Sequence, residues 1–194
     1  LRALRLIIFN VNDMNIRFTG FGGQGIVLSG VILGWAAILE GKNAIQTQSY
    51  GSEARGGSCK CDVIIENTEI LELEPAQLDI LIAFSQPAFE KYHSFLKPEG
   101  LLFIDKDLVN PADPRVLGEN KNARPTKTFA ISATDIAVKK MKHKIMANIV
   151  MLGYMTAKTG LISPESVEKS IERHVPAQTV EENLKAFRTG LTLI

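Results

Sequence analysis

The chain has 194 residues, 45% of them hydrophobic and 22% charged, with a formal net charge of +1. That length supports one domain with a full core, and near-neutral charge removes the electrostatic footprint of a general nucleic-acid binder. The longest apolar run, 26–39, falls short of the roughly 20 residues a bilayer span requires, and 6–9 is too short for a signal-peptide core; the reading is a cytoplasmic protein with no membrane span and no nucleic-acid partner.

Residues 1–13 precede Met14 and read as an extension ahead of the natural start, or as an added remnant, with an extra edge strand as the alternative. No function attaches to them, and 14–194 is expected to form a single domain. A short apolar strand, 16–18, then leads through Thr19-Gly20-Phe21-Gly22-Gly23-Gln24-Gly25 into a helix over 26–39. Strand, glycine turn and helix in that order suit a phosphate-binding loop. Gly20, Gly22 and Gly25 satisfy G-x-G-x-x-G, where missing Cβ atoms let backbone N–H groups approach an anion at a helix N-terminus. The alternative is a turn that only packs a helix tightly on a sheet. A dinucleotide site also needs a carboxylate about 20 residues on, at the end of the second strand. Glu40 lies before that strand (44–48) and Glu53 beyond it, so NAD loses ground to another phosphate carrier.

Ser49-Tyr50-Gly51-Ser52-Glu53-Ala54-Arg55-Gly56-Gly57 forms a second glycine-rich cluster. Arg55 offers a forked donor to phosphate or carboxylate, and Glu53 would orient it or bind a ligand amine or hydroxyl. An internal Glu–Arg pair fixing a turn is the competing reading. Cys59 and Cys61 follow in an alternating strand, 58–65, on one face; two thiols without further ligands read as small hydrophobes rather than a metal site. His93, His143 and His174 are scattered, and no hydrolase motif is present.

Apolar runs at 78–83 and 101–104 read as strands covered on both faces, with a helix over 87–96 between them and Pro98-Glu99-Gly100 turning into the second. A long irregular connection, 106–126, precedes a strand at 127–131. Lys139, Lys140, Lys142 and Lys144 form a basic cluster that reads as a solvated helix face unless a phosphate or an acidic protein meets it. Helix 145–158 is apolar most of the way round, and Gly153 within it predicts close approach of another backbone. Gly160 ends that helix and Ser163-Pro164 starts the next. Thr179 and Glu182 form a T-x-x-E capping box for the last helix, which Gly190 stops. This order predicts a three-layer α/β/α fold with a mostly parallel sheet, mixed pairing allowed, a Rossmann-like first β-α unit and a helical C-terminal part.

The glycine loop with Gly23 and Gln24, the Ser49 to Gly57 cluster including Tyr50, Gly56 and Gly57, then Asn148, Met151-Leu152-Gly153, Glu182-Asn183 and Ala186-Phe187, together resemble the gamma subunit of 2-oxoacid:ferredoxin (acceptor) oxidoreductases from Met14 to about Gly190. The resemblance implies a role in CoA-dependent oxidative decarboxylation to acyl-CoA, CO2 and reduced ferredoxin or a related acceptor. It implies that thiamine diphosphate, Mg and 4Fe-4S clusters lie on the alpha, beta and delta subunits, and that this chain carries no catalytic residue. Assembly and CoA contact are the expected share, with the Gly20–Gly25 backbone and Arg55 facing phosphates. By overall likeness 2-oxoglutarate is the favoured substrate, ahead of pyruvate. An independent nucleotide-binding oxidoreductase domain and a purely structural subunit remain as alternatives.

Overall fold

The computed structural model describes residues 13–49, 58–112 and 127–193. Within them the chain forms β1 (Asp13–Phe21), α1 (Ile26–Leu39), β2 (Asn43–Ser49), β3 (Ser58–Glu66), β4 (Leu78–Ala83), α2 (Gln86–Tyr92), β5 (Leu96–Asp105), β6 (Lys127–Ile131), α3 (Ala133–Met141), α4 (Ala147–Thr159), α5 (Pro164–His174) and α6 (Val180–Leu191). The sheet order is β2-β3-β1-β4-β5-β6.

β1 runs parallel to β4, β4 to β5 and β5 to β6, while β3 is antiparallel to both β1 and β2. The mixed pairing follows from connection length. Parallel neighbours need a long crossover, whereas the short stretch between β2 and β3 reverses the chain directly. Because β2 and β1 both oppose β3, the carboxyl ends of β1, β2, β4, β5 and β6 share one edge with the start of β3. In open α/β sheets ligands bind beyond that edge, where successive connections leave on opposite faces.

Here the divergence falls between β1 and β4. Alternation along β4 sends Ile80 and Ile82 into a large core with α1, α4, α5 and α6, and Leu81 and Ala83 into a smaller one with α2, which Leu78 joins from across a register shift. α1 approaches the sheet closely because Gly30 sits against Cys61 and Val63, leaving no room for a Cβ. α5 covers the outside of α1: Ser170 Oγ donates to Ile32 O at 2.8 Å, and Arg173 lies 4.5 Å over the Trp35 ring. At the far end of α1, Glu40 accepts the Ser163 N–H at 2.6 Å.

The opposite face holds a feature with no mark in the sequence. Arg17 and Asp62 are in register on β1 and β3, both buried, and form a two-pronged ion pair. The guanidinium lies over the rings of both Tyr92 and Phe95, 5.0 and 5.1 Å from their centres. Burial of such a pair is tolerated because the carboxylate receives both prongs and a third donor, Lys60 at 3.1 Å.

Several expectations shift. β1 begins at Asp13 rather than near residue 16, and Met14 is buried inside it. The helix expected over 87–96 ends at Tyr92, with a single 3-10 turn over His93–Phe95, and Pro98 to Gly100 lie within β5 instead of turning ahead of it. The irregular register between Leu78 and Ile80 accommodates that proline-containing start. Thr179 makes no capping box: it already sits in helical φ/ψ after a 3-10 turn, and its hydroxyl donates back to Pro176 O at 2.9 Å. Ser163 does cap α5, accepting the Ser166 N–H at 3.3 Å. Gly190 lies inside α6 and does not stop it. A Cβ on Gly153 would strike Phe187 O, and one on Gly190 would strike Val150 O, so the two glycines let α4 and α6 cross in backbone contact. Of the long connection 106–126, residues 113–126 lie outside the described residues.

Candidate functional site

The glycine turn sits at the carboxyl end of β1, next to the divergence point. Gly25 has φ 73° and accepts the Ser29 N–H through its carbonyl as α1 begins. Gly23 has φ 87°, a conformation L side chains avoid. Two amides hold the turn. Gln24 Oε1 accepts the Phe21 N–H at 2.6 Å while its Nε2 donates to Phe84 O at 3.0 Å, tying the turn to the end of β4. Asn148 Nδ2 donates to Gly25 O at 3.0 Å, and Asn148 Oδ1 accepts the Ile149 N–H, so the first turn of α4 is pinned to the first turn of α1.

The glycines divide by what surrounds them. A Cβ at Gly20 would meet Gln24 Oε1, and one at Gly25 would meet Asn148 Nδ2. Gly22 and Gly23 are exposed, and a Cβ at either would meet nothing within 4 Å. Gly22 also lacks a positive φ. Gly25 therefore serves the fold, and Gly22 has no such internal reason to be glycine.

Ser49 ends β2 opposite Lys60, and Ser58 opens β3 opposite Phe21, so both ends of the second cluster are anchored at the same sheet edge as the first turn. Tyr50, Glu53, Arg55, Gly56 and Gly57 lie outside the described residues. Glu40 is at the far end of α1, engaged with Ser163 and 3.6 Å from Lys42. Partial burial opposes its ionisation, but the Ser163 N–H and hydroxyl, Lys42 and Ser166 outweigh burial and hold the carboxyl below its ordinary range.

Beside the turn lies a cavity of about 220 Å³ lined by Gly23, Gln24, Phe84, Leu108, Thr134, Lys144, Ile145 and Ala147. Thr134 is fixed by buried Asp105, which accepts both its N–H at 2.8 Å and its hydroxyl at 2.6 Å. One residue past Phe84, the Ser85 hydroxyl is buried with no hydrogen-bond partner. Sequence reasoning gave no site role to Phe84, Ser85, Leu108, Thr134 or Ile145, because nothing local marks residues that meet through sheet topology. Lys144 was visible as one member of a basic cluster; the fold separates it from Lys139, which pairs with Asp135 at 2.8 Å.

Cys59 and Cys61 are buried free thiols on the α1 side. Burial pushes the Cys61 thiol up to about 12 despite a hydrogen bond from Gln46, which suits a packing role and not a thiolate ligand. Among the described residues no group of three or more His, Cys, Asp or Glu side chains gathers in a metal-holding arrangement, and no helix is long and apolar enough to cross a membrane.

This fold and these motifs have known counterparts. Residues 15–193 match the family model described as pyruvate ferredoxin/flavodoxin oxidoreductase. The 2-oxoglutarate synthase subunit KorC of Methanocaldococcus jannaschii is 46% identical over 177 residues, covering 90% of each chain. The crystal structure of the keto/oxoacid ferredoxin oxidoreductase gamma subunit from Geobacter sulfurreducens is 41% identical, with a TM-score of 0.74 over 91% of this chain and 95% of that one. A 2-oxoglutarate:ferredoxin oxidoreductase from Magnetococcus marinus, solved with 2-oxoglutarate, coenzyme A and succinyl-CoA bound, shares the fold. It is 23% identical with a TM-score of 0.75 over 93% of this chain but 30% of that one, so there the fold is one section of a longer polypeptide. The chain belongs to the pyruvate ferredoxin/flavodoxin oxidoreductase family.

Proposed function

We propose that this chain, residues 14–194 acting as one domain, is the gamma-type subunit of a cytoplasmic 2-oxoglutarate:ferredoxin oxidoreductase. The observation that carries the substrate assignment is the 46% identity to a 2-oxoglutarate synthase subunit along nine-tenths of both chains. The complex would convert 2-oxoglutarate and CoA to succinyl-CoA and CO2, passing two electrons to ferredoxin and releasing the thiol proton. Thiamine diphosphate, Mg and 4Fe-4S clusters would reside on alpha, beta and delta subunits. A 4Fe-4S cluster takes four thiolates and this chain has two cysteines, so it cannot hold one alone.

The gamma chain's share is to assemble with those subunits and to contact CoA. The open backbone of Gly22 and Gly23 suits a phosphate, because N–H groups there can approach an anion with no side chain between. Gln24 and Asn148 hold the turn rigid, so little ordering cost falls on binding. Ser49, Tyr50, Glu53, Arg55, Gly56 and Gly57 would complete the contact from the neighbouring strand end. Bringing the thiol carrier to an acyl group formed on another subunit raises its local concentration without any bond making by this chain.

Co-expression with the alpha, beta and delta chains, followed by assay of 2-oxoacids against ferredoxin reduction, tests the proposal. CoA-dependent turnover with 2-oxoglutarate as best substrate is expected. Preference for pyruvate, or turnover by the isolated chain, would overturn it.

A further inference from the structure

Four of the lysines between residues 139 and 144 look alike in sequence, but only the last enters the cavity beside the glycine turn. Lys144 lies on the single turn that leads into α4, four residues before Asn148, whose amide is bonded to Gly25 O. Its backbone is thus fixed relative to Gly23 and Gln24, which line the same cavity. Among the described residues no carboxylate pairs with it: Asp135, next to Thr134 in the wall, pairs with Lys139, and Asp105 accepts the Thr134 N–H and hydroxyl.

The remaining walls are Phe84, Leu108, Ile145 and Ala147, and of these Leu108 and Ile145 are 40% and 51% exposed. Apolar walls with a few converging polar groups are the usual make-up of a small-molecule site. A volume of about 220 Å³ is smaller than the roughly 300–1,000 Å³ that engulfs a whole drug-sized ligand, so this slot takes one segment of a larger molecule. A lysine and the open backbone of Gly23 among the lining residues together favour a phosphate at the segment's end.

We infer that Lys144 and this cavity form the second half of a phosphate-ester site: the Gly22–Gly23 backbone and the Lys144 ammonium bracket one phosphate, and the slot of Phe84, Leu108, Ile145 and Ala147 holds the organic group attached to it. The inference rests on the reading that the turn touches CoA, and it adds a residue and a binding surface outside both glycine motifs. Lys144 is a binding residue in this arrangement and takes no part in decarboxylation.

The test uses the assembled complex with Lys144→Gln, Lys144→Arg, Lys140→Ala and Gly22→Ala in this chain, each shown by size-exclusion chromatography to retain its partner subunits. With Lys144→Gln the KM for CoA should rise about tenfold, while kcat at saturating CoA stays within about twofold. Raised salt should shrink that difference, because the wild-type contact is ionic. Lys144→Arg should recover most of the affinity, and Lys140→Ala should leave KM unchanged. An unchanged KM in Lys144→Gln together with a raised KM in Gly22→Ala would overturn the cavity assignment and leave the turn as the CoA contact. Unchanged values in both variants would overturn the cavity and the turn together.

Discussion

Gly153 and Gly190 have backbone atoms of the opposing helix where their Cβ atoms would stand, whereas Gly22 has nothing within 4 Å of its own. Both regions carry glycine where the chain must be approached closely. In the α4–α6 crossing the visitor is the chain itself, and the helix cost of glycine is recovered in packing. At Gly22, within the turn, no internal visitor stands among the described residues. The difference separates glycines that build the molecule from a glycine that leaves room for another one, and it can be read residue by residue.

The comparison is broken most easily at its closed end. Gly190→Ala places a methyl against Val150 O, and forcing the helices apart should cost roughly 3 kcal/mol or more, read as a lowered urea midpoint. An unchanged midpoint would mean that the crossing is loose. Gly25→Ala should cost about 2 kcal/mol, from the positive φ and from the Asn148 amide. Part of that loss should be non-additive with Asn148→Ala in a double-mutant cycle; strict additivity would detach the two residues.

Away from the glycines, the link between α1 and α5 should depend on pH. Glu40 is held below its ordinary range in the fold, so its contribution is present above the ordinary glutamate range and fades as pH falls through the lowered value. Glu40→Gln should remove about 1 kcal/mol at neutral pH and less in acid. A loss that grew in acid would contradict the assignment. The smallest effect is expected at Ser85. Serine to alanine at a helix start usually costs about 1 kcal/mol, yet this hydroxyl makes no cap bond and no other, so Ser85→Ala should change thermal stability by less than about 0.5 kcal/mol or raise it slightly.

Much of this architecture is legible along the chain because hydrophobic pattern and chain punctuation agree. The apolar runs mark α1 at Ile26–Leu39 and β4 at Leu78–Ala83, the strand expected at 127–131 is β6, and Gly160 ends α4 in a left-handed cap. Gly153 announced a close backbone, although Gly190 read as a stop when it is the other half of that contact. Local motifs mislead where tertiary geometry claims the same atoms. The Thr179 hydroxyl is spent on Pro176 O, and Pro98 is absorbed into the irregular start of β5. The buried Arg17–Asp62 pair needed the β1–β3 register to be seen. At the candidate site the turn was visible, but its supports were not: Gln24 reaches Phe84, 60 positions away, and Lys144 joins the turn only through the anchoring of α4.

The central claim is that Gly22 leaves space for a ligand and not for the fold. Its direct test is Gly22→Ala in the assembled complex, with melting temperature and KM for CoA measured on the same preparation. The account predicts a melting temperature unchanged or slightly raised, since this backbone accepts alanine without strain, together with a KM for CoA raised about tenfold. A lowered melting temperature with CoA affinity intact would contradict it, placing Gly22 among the glycines that build the molecule.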